Sequence, residues 1–327
     1  MKTSTFRAAA ALLSLVTVFA AGCGPSASTD QTQNRVVPGQ PIAVVCTTNV
    51  IKDLVQQIGG NRVKVTAIMD GPGIDPHTYT PSPKDTNALT AADVVVYSGL
   101  HLEGQFDDAL ESLKNRGIPV ICVTDVLLTE SPSRLIQAEN GSADPHVWFH
   151  PELWQSCGHW LALELTKFDP SGKDEYESAA VAFTSEMEET LTTGRRLLEP
   201  IPKERRVLVT AHDAFEYFAR AFEFEVQAVQ GISTESEPGL RRINELIDLL
   251  TKKKIAAVFT EQSVSDKNIS ALIEGCETRG HKLKIGGRLF SDTVGAAGTS
   301  EETLSGALLY NIRQVSTALL ASEEPQL

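Results

Sequence analysis

Short apolar runs alternate along the chain with longer segments that are apolar on only one face. Continuous apolar runs of strand length predict parallel strands, because such strands are covered on both sides. The segments between them repeat apolar residues at helical spacing. Predicted strands of the N-terminal half are 42–46, 63–68, 93–97 and 119–123. Those of the C-terminal half are 206–210, 224–229, 256–259 and 282–285.

One helical pattern is longer than all the others. It runs from Asp174 to Leu198, with acidic residues early and Arg195 and Arg196 near its end, as the helix dipole favours. A helix of about 25 residues is roughly 37 Å long. We therefore predict an α/β fold of two lobes, each with a mostly parallel four-stranded sheet flanked by helices. The long, rigid helix joins the two lobes.

The first 40 residues differ in composition from the rest. A short basic start and a small apolar run, 8–21, are typical of a signal peptide and too short to span a membrane. The run ends before Gly22-Cys23 and resembles a bacterial lipoprotein signal, in which the cysteine carries the lipid. We predict a signal peptide at 1–22, a membrane anchor at Cys23 and a flexible tether at 23–40. Ordinary secretion, with cleavage near Ala21, is the alternative; either way the protein is extracytoplasmic.

The charge balance and the cysteines exclude several classes of function. Cleavage of the signal peptide removes Lys2 and Arg7 and no acidic residue, which moves the net charge from −13 to −15. This excess of acid argues against binding of nucleic acid or of anionic lipid. The other cysteines lie too far apart for a Cys-x-x-Cys motif. We predict that Cys46, Cys122, Cys157 and Cys276 are buried and pack as small apolar residues, while their pairing in disulfides cannot be deduced from the sequence.

A repeated tripeptide points to a ligand site. Asp-Pro-His occurs at 75–77 and again at 144–146, so each histidine follows a proline that limits the local backbone. Two further candidates come just after predicted strands of the second half. Ligands of doubly wound folds bind outside the carboxyl ends of the strands. We therefore expect one cleft between the lobes to contain His77, His146, His212 and Asp292.

These four residues suit a transition-metal ion. Three imidazoles and one carboxylate fit Zn²⁺, and they fit Mn²⁺ if the carboxylate binds through both oxygens. We favour zinc because imidazole is the softer type of ligand. Imidazole binds a metal only when neutral, so affinity is expected to fall below pH about 6.5.

Six stretches, in order and spanning nearly the whole mature chain, resemble the solute-binding proteins of zinc and manganese ABC transporters, the TroA-like family. They are residues 71–85, 98–104, 144–151, 209–222, 231–239 and 290–295. The resemblance places the family's metal ligands on His77, His146, His212 and Asp292. It implies two α/β lobes joined by a rigid helix, one ion between them, and delivery of that ion to a membrane permease.

The sequence departs from the family's usual residues at two places, and both affect which metal is expected. Many manganese members of the family have glutamate at the position of His212, and many zinc members have a histidine-rich loop where 126–143 has no histidine. The resemblance therefore implies a subgroup that takes zinc or manganese. We expect 126–143 to be a loop, and we expect a monomeric binding protein without enzymatic activity. Its expected segments are a metal-binding lobe at 41–170, a linking helix at 171–200 and a second metal-binding lobe at 201–327.

Two other functions remain open. The pair His212-Asp213, with other histidines and a distant aspartate, is similar to the pattern of metal-dependent phosphohydrolases. Those enzymes place the pair on helices, whereas here it follows a predicted strand, and no spare general base accompanies it. A surface adhesin of the same fold is the other alternative.

Overall fold

A computed structural model of the chain describes residues 36–37, 39–138 and 141–321. The predicted signal peptide, Cys23 and most of the tether lie outside the described residues. None of the helices in the described part of the chain combines the length and the hydropathy of a membrane span.

The N-terminal half contains one fully parallel sheet of four strands in the order β2-β1-β3-β4. Its strands are β1 Ile42–Thr48, β2 Val63–Met69, β3 Val94–Tyr97 and β4 Val120–Cys122. Its helices are α1 Asn49–Gly59, α2 Pro83–Ala91, α3 Asp107–Asn115, α4 Asp125–Glu130 and α5 Pro151–Phe168. Central strands β1 and β3 are almost fully buried, as their continuous apolar runs predicted. All four strands end at the same edge of the sheet.

The C-terminal half again alternates strands and helices. Its strands are β5 Val207–Thr210, β6 Glu225–Ala228, β7 Ala257–Glu261 and β8 Lys284–Leu289. Its helices are α7 Glu216–Phe222, α8 Leu240–Lys253, α9 Lys267–Thr278 and α10 Leu304–Ala321. The strands form two parallel hydrogen-bonded pairs, β5-β6 and β7-β8, and β5 lies beside β7.

The predicted long helix is α6, Lys173–Leu198, and it packs against both halves. It contacts α1 and α5 of the N-terminal half and α7 and α10 of the C-terminal half. Two glycines allow the helices to approach closely. A Cβ at Gly158 of α5 would lie 2.7 Å from Phe183, and one at Gly194 of α6 would lie 2.6 Å from Ile312. One hydrophobic core runs through both halves along this helix, so α6 is a packed link rather than a tether.

The prediction of a loop at 126–143 was wrong for its first part. Helix α4 begins at Asp125 and ends at Glu130, and a 3-10 turn follows at Pro132–Arg134. Val126 and Leu127 are buried and join the main core, which makes a short helix favourable despite the polar residues around it. The four cysteines in the described part are buried, as predicted, and none of them forms a disulfide.

Candidate metal centre

The structure brings all four predicted ligand residues together. One ligand atom from each of His77, His146, His212 and Asp292 lies within 4.8 Å of the others, and all four side chains are buried. Asp292 Oδ1 lies 3.1 Å from His146 Nε2, 3.4 Å from His212 Nε2 and 4.0 Å from His77 Nε2. The Nε2 atoms of His77 and His146 are 3.3 Å apart. One carboxylate oxygen and three ring nitrogens therefore face a common point.

Each candidate ligand lies in a segment that connects regular elements. His77 is in the loop between β2 and α2, and His146 directly precedes a 3-10 helix at Val147–Phe149. His212 follows β5 and Asp292 follows β8. Parallel strands end at a common edge, which explains why residues far apart in sequence meet here.

Two buried carboxylates fix the orientation of two imidazoles. Asp144 Oδ1 lies 2.7 Å from His146 Nδ1, and Glu261 Oε2 lies 2.5 Å from His212 Nδ1. Both carboxylates also accept the backbone N–H of the same histidine, each at 2.9 Å. When a carboxylate accepts a hydrogen bond from Nδ1, it leaves the lone pair of Nε2 directed at the metal position.

Two buried polar atoms at the centre lack hydrogen-bond partners within the described residues. They are His212 Nε2 and Asp292 Oδ1, whose 3.4 Å separation makes no hydrogen bond between them. Buried polar atoms are nearly always hydrogen-bonded, so two such atoms that face one point without a hydrogen bond are placed to bind a cation. The other oxygen of Asp292 accepts a hydrogen bond from Ser263 Oγ at 2.8 Å. Three nitrogens and one oxygen are a donor set that zinc accepts.

Charge and burial set the protonation of the metal-free site. Burial opposes the charged form of both His146 and His212, but the neighbouring carboxylates have the larger combined effect. Asp144 and Asp292 raise the pKa of His146 to about 9. Glu261 and Asp292 likewise raise the pKa of His212 well above its usual value. Burial opposes ionisation of Asp292 too, yet these two imidazoliums hold its pKa well below the usual range. Burial lowers the pKa of His77 to about 3.

A metal ion held by these four side chains would therefore have to displace protons from His146 and His212 at neutral pH. The sequence suggested that affinity falls only below pH about 6.5. The structure predicts that affinity already falls at a higher pH, because the carboxylate contacts keep His146 protonated up to pH about 9.

Sequence reasoning missed the residues that support the ligands. Glu261 lies 49 positions from His212, and no motif connects it to the site. Ser263 was missed for the same reason. The sequence did contain a sign of the role of Asp144, since an aspartate precedes the histidine by two positions in both tripeptides.

Two α/β halves on a long helix, with four buried candidate metal ligands between them, are the architecture of a solute-binding protein for a metal ion. The chain belongs to the family described as ZnuA, zinc-uptake complex component A, periplasmic, whose model matches residues 44–318.

Relatives in this family carry names with different metals. The chain is 42% identical over 281 residues to the manganese-binding lipoprotein MntA of Bacillus subtilis, covering 86% of this chain and 90% of that protein. It is 38% identical over 287 residues to the zinc-binding protein TroA of Treponema pallidum, covering 88% of this chain and 91% of that protein. The solved structure of the periplasmic zinc-binding protein TroA from Treponema pallidum matches with a TM-score of 0.81 at 38% identity. That match covers 85% of this chain and 99% of the other. The predicted family and fold class are confirmed.

Proposed function

We propose that this protein is the extracytoplasmic solute-binding component of a metal ABC transporter. It captures one Zn²⁺ or Mn²⁺ ion and delivers it to a membrane permease. The observation that carries this proposal is the convergence of three imidazoles and one carboxylate on a single buried point. Membership of the zinc-uptake family and similarity to zinc- and manganese-binding relatives support it.

The proposed ligands are Nε2 of His77, His146 and His212 and Oδ1 of Asp292. Zinc is the favoured ion. The second oxygen of Asp292 is already bonded to Ser263, which favours binding through one oxygen and a four-coordinate ion. Manganese would be favoured by a carboxylate that binds through both oxygens.

The same geometry argues against catalysis. A catalytic zinc site keeps one position open for water, whereas four protein ligands complete a tetrahedral shell. No observation favours the phosphohydrolase or the adhesin. We propose that the chain binds and releases its ion without chemical change.

The membrane anchor and the segment boundaries also belong to the proposal. Lipid attachment at Cys23 would hold the protein near its permease, with 23–40 as the tether. Two metal-binding lobes at 41–170 and 201–327, joined through 171–200, would act as one monomer. The relative named as a lipoprotein supports the anchor.

Uptake of radioactive zinc and manganese by cells tests the transport function. Cells that lack the gene should regain uptake with the wild-type chain but not with His146→Ala. His159→Ala is the matched control, because His159 is exposed and its ring bonds, within the described part of the chain, only to Thr184. Equal uptake with His146→Ala and wild type would refute the proposal. Phosphatase activity that His212→Ala abolishes would favour the enzyme instead.

A further inference from the structure

The two Asp-Pro-His tripeptides use their aspartates differently. In both, Oδ1 of the aspartate accepts the backbone N–H of the histidine at 2.9 Å. Asp144 uses the same oxygen to contact the ring of His146. Asp75 instead accepts a hydrogen bond through Oδ2 from Thr234 Oγ1, at 2.6 Å. Since Thr234 lies in the C-terminal half, Asp75 connects the backbone of a candidate ligand to the opposite half of the molecule.

His77 is the most accessible of the four candidate ligands. A cleft of about 1100 Å³ is lined by His77 but not by the other three. Buried carboxylates fix the rings of His146 and His212, whereas in the described part of the chain no carboxylate contacts Nδ1 of His77. An ion that passes between the cleft and the site therefore passes His77.

The opposite wall of this cleft includes the loop 231–239, between β6 and α8. The side chain of Gln230 donates to the carbonyl oxygens of Thr234 and Ser236, both at 2.9 Å, and so fixes the shape of the loop. A second bond across the cleft, from Gln105 to Glu235, is exposed to solvent. Both bonds end on a carboxylate, but the bond from Thr234 is half-buried, and its lower exposure to water makes it the stronger of the two.

We propose that Asp75 and Thr234 are a positioning pair that controls the exchange of the ion between the site and the cleft. The inference rests on the proposed function and deepens it. While the bond holds, the loop 231–239 and the backbone of His77 stay together and keep the ion enclosed. The ion enters and leaves when the bond breaks. The pair therefore limits both rates without contacting the ion.

Thr234→Val removes the hydroxyl and keeps the shape of the side chain. Zinc association can be followed by stopped-flow fluorescence of Trp148, whose ring lies 5.3 Å from that of His146. Dissociation can be followed by mixing the zinc-loaded protein with excess chelator. Loss of a hydrogen bond to a charged group should raise both rates about tenfold or more, with the equilibrium Kd changed by less than about threefold.

Two variants control the interpretation. Thr234→Ser keeps the hydroxyl and should restore wild-type rates. Ser233→Ala changes the same loop and should also leave both rates unchanged, because among the described residues the Ser233 hydroxyl only accepts a local bond from the Glu235 N–H. Thr234→Ala repeats the test if the valine variant does not fold.

The proposal is wrong if Thr234→Val dissociates within twofold of the wild-type rate. It is also wrong if dissociation accelerates while association stays constant, because the bond would then only stabilise the bound state. Failure of the wild-type protein to bind one zinc ion would overturn the proposed function itself. The wild-type titration, carried out first, therefore separates the two failures.

Discussion

The number of protons released on metal binding follows from the carboxylate partners of the site. A histidine with a pKa of about 9 is about 99% protonated at pH 7. His146 meets this condition, and His212 is shifted in the same direction. At pH 7 His77 is neutral and Asp292 is ionised, since their pKa values are lowered, so neither has to lose a proton to bind the ion. Zinc binding at pH 7 should therefore release about two protons.

Isothermal titration calorimetry in two buffers with different ionisation enthalpies measures this number directly. The zinc affinity should also rise about 100-fold for each unit of pH between about 6.5 and 8, since two protons compete with the ion. Asp144→Asn removes one of the charges that raise the pKa of His146, and release should fall to about one proton. Release of fewer than about 0.5 protons by the wild type, or no change in the variant, would refute the reasoning.

Three further predictions concern the support of the site and the packing. Glu261→Gln should lower zinc affinity about 10- to 100-fold in a chelator competition, because the charged acceptor of His212 Nδ1 is lost; an unchanged affinity would contradict this role. Zinc at 100 times its Kd should stabilise the fold by about 2.7 kcal/mol, seen as a rise of the calorimetric Tm that His146→Ala abolishes; an equal rise in the variant would place the ion elsewhere. Gly158→Ala should lower the free energy of unfolding in urea by about 1–3 kcal/mol, because its Cβ meets Phe183 at 2.7 Å. A stabilised variant would show that helix propensity outweighs the clash.

Local patterns predicted the elements of this fold well, because strand and helix periods differ. The continuous apolar run of β1 and the long amphipathic pattern of α6 could be identified without any tertiary information. Helix α4 was missed because its six residues, half of them polar, are too few to show a helical period, and its formation depends on packing of Val126 and Leu127 against the core. The division of the C-terminal strands into two pairs also depends on tertiary contacts.

The candidate ligands could be predicted from the sequence, but the residues that hydrogen-bond to them could not. His77 and His146 lie in a repeated tripeptide, and His212 follows a clear strand. Glu261 is one buried carboxylate at the end of β7, and only the adjacency of β5 and β7 brings it to His212. Thr234 and Asp75 are 159 positions apart, so their bond depends on the way the two halves pack.

Metal stoichiometry tests the central claim most directly. The purified protein would be saturated with zinc, freed of excess ion by gel filtration, and analysed for metal by mass spectrometry beside the His212→Ala and Asp292→Ala variants. We predict one zinc ion per wild-type chain and almost none in either variant. One tightly bound ion in both variants would show that the metal binds elsewhere and would contradict the assignment of the site.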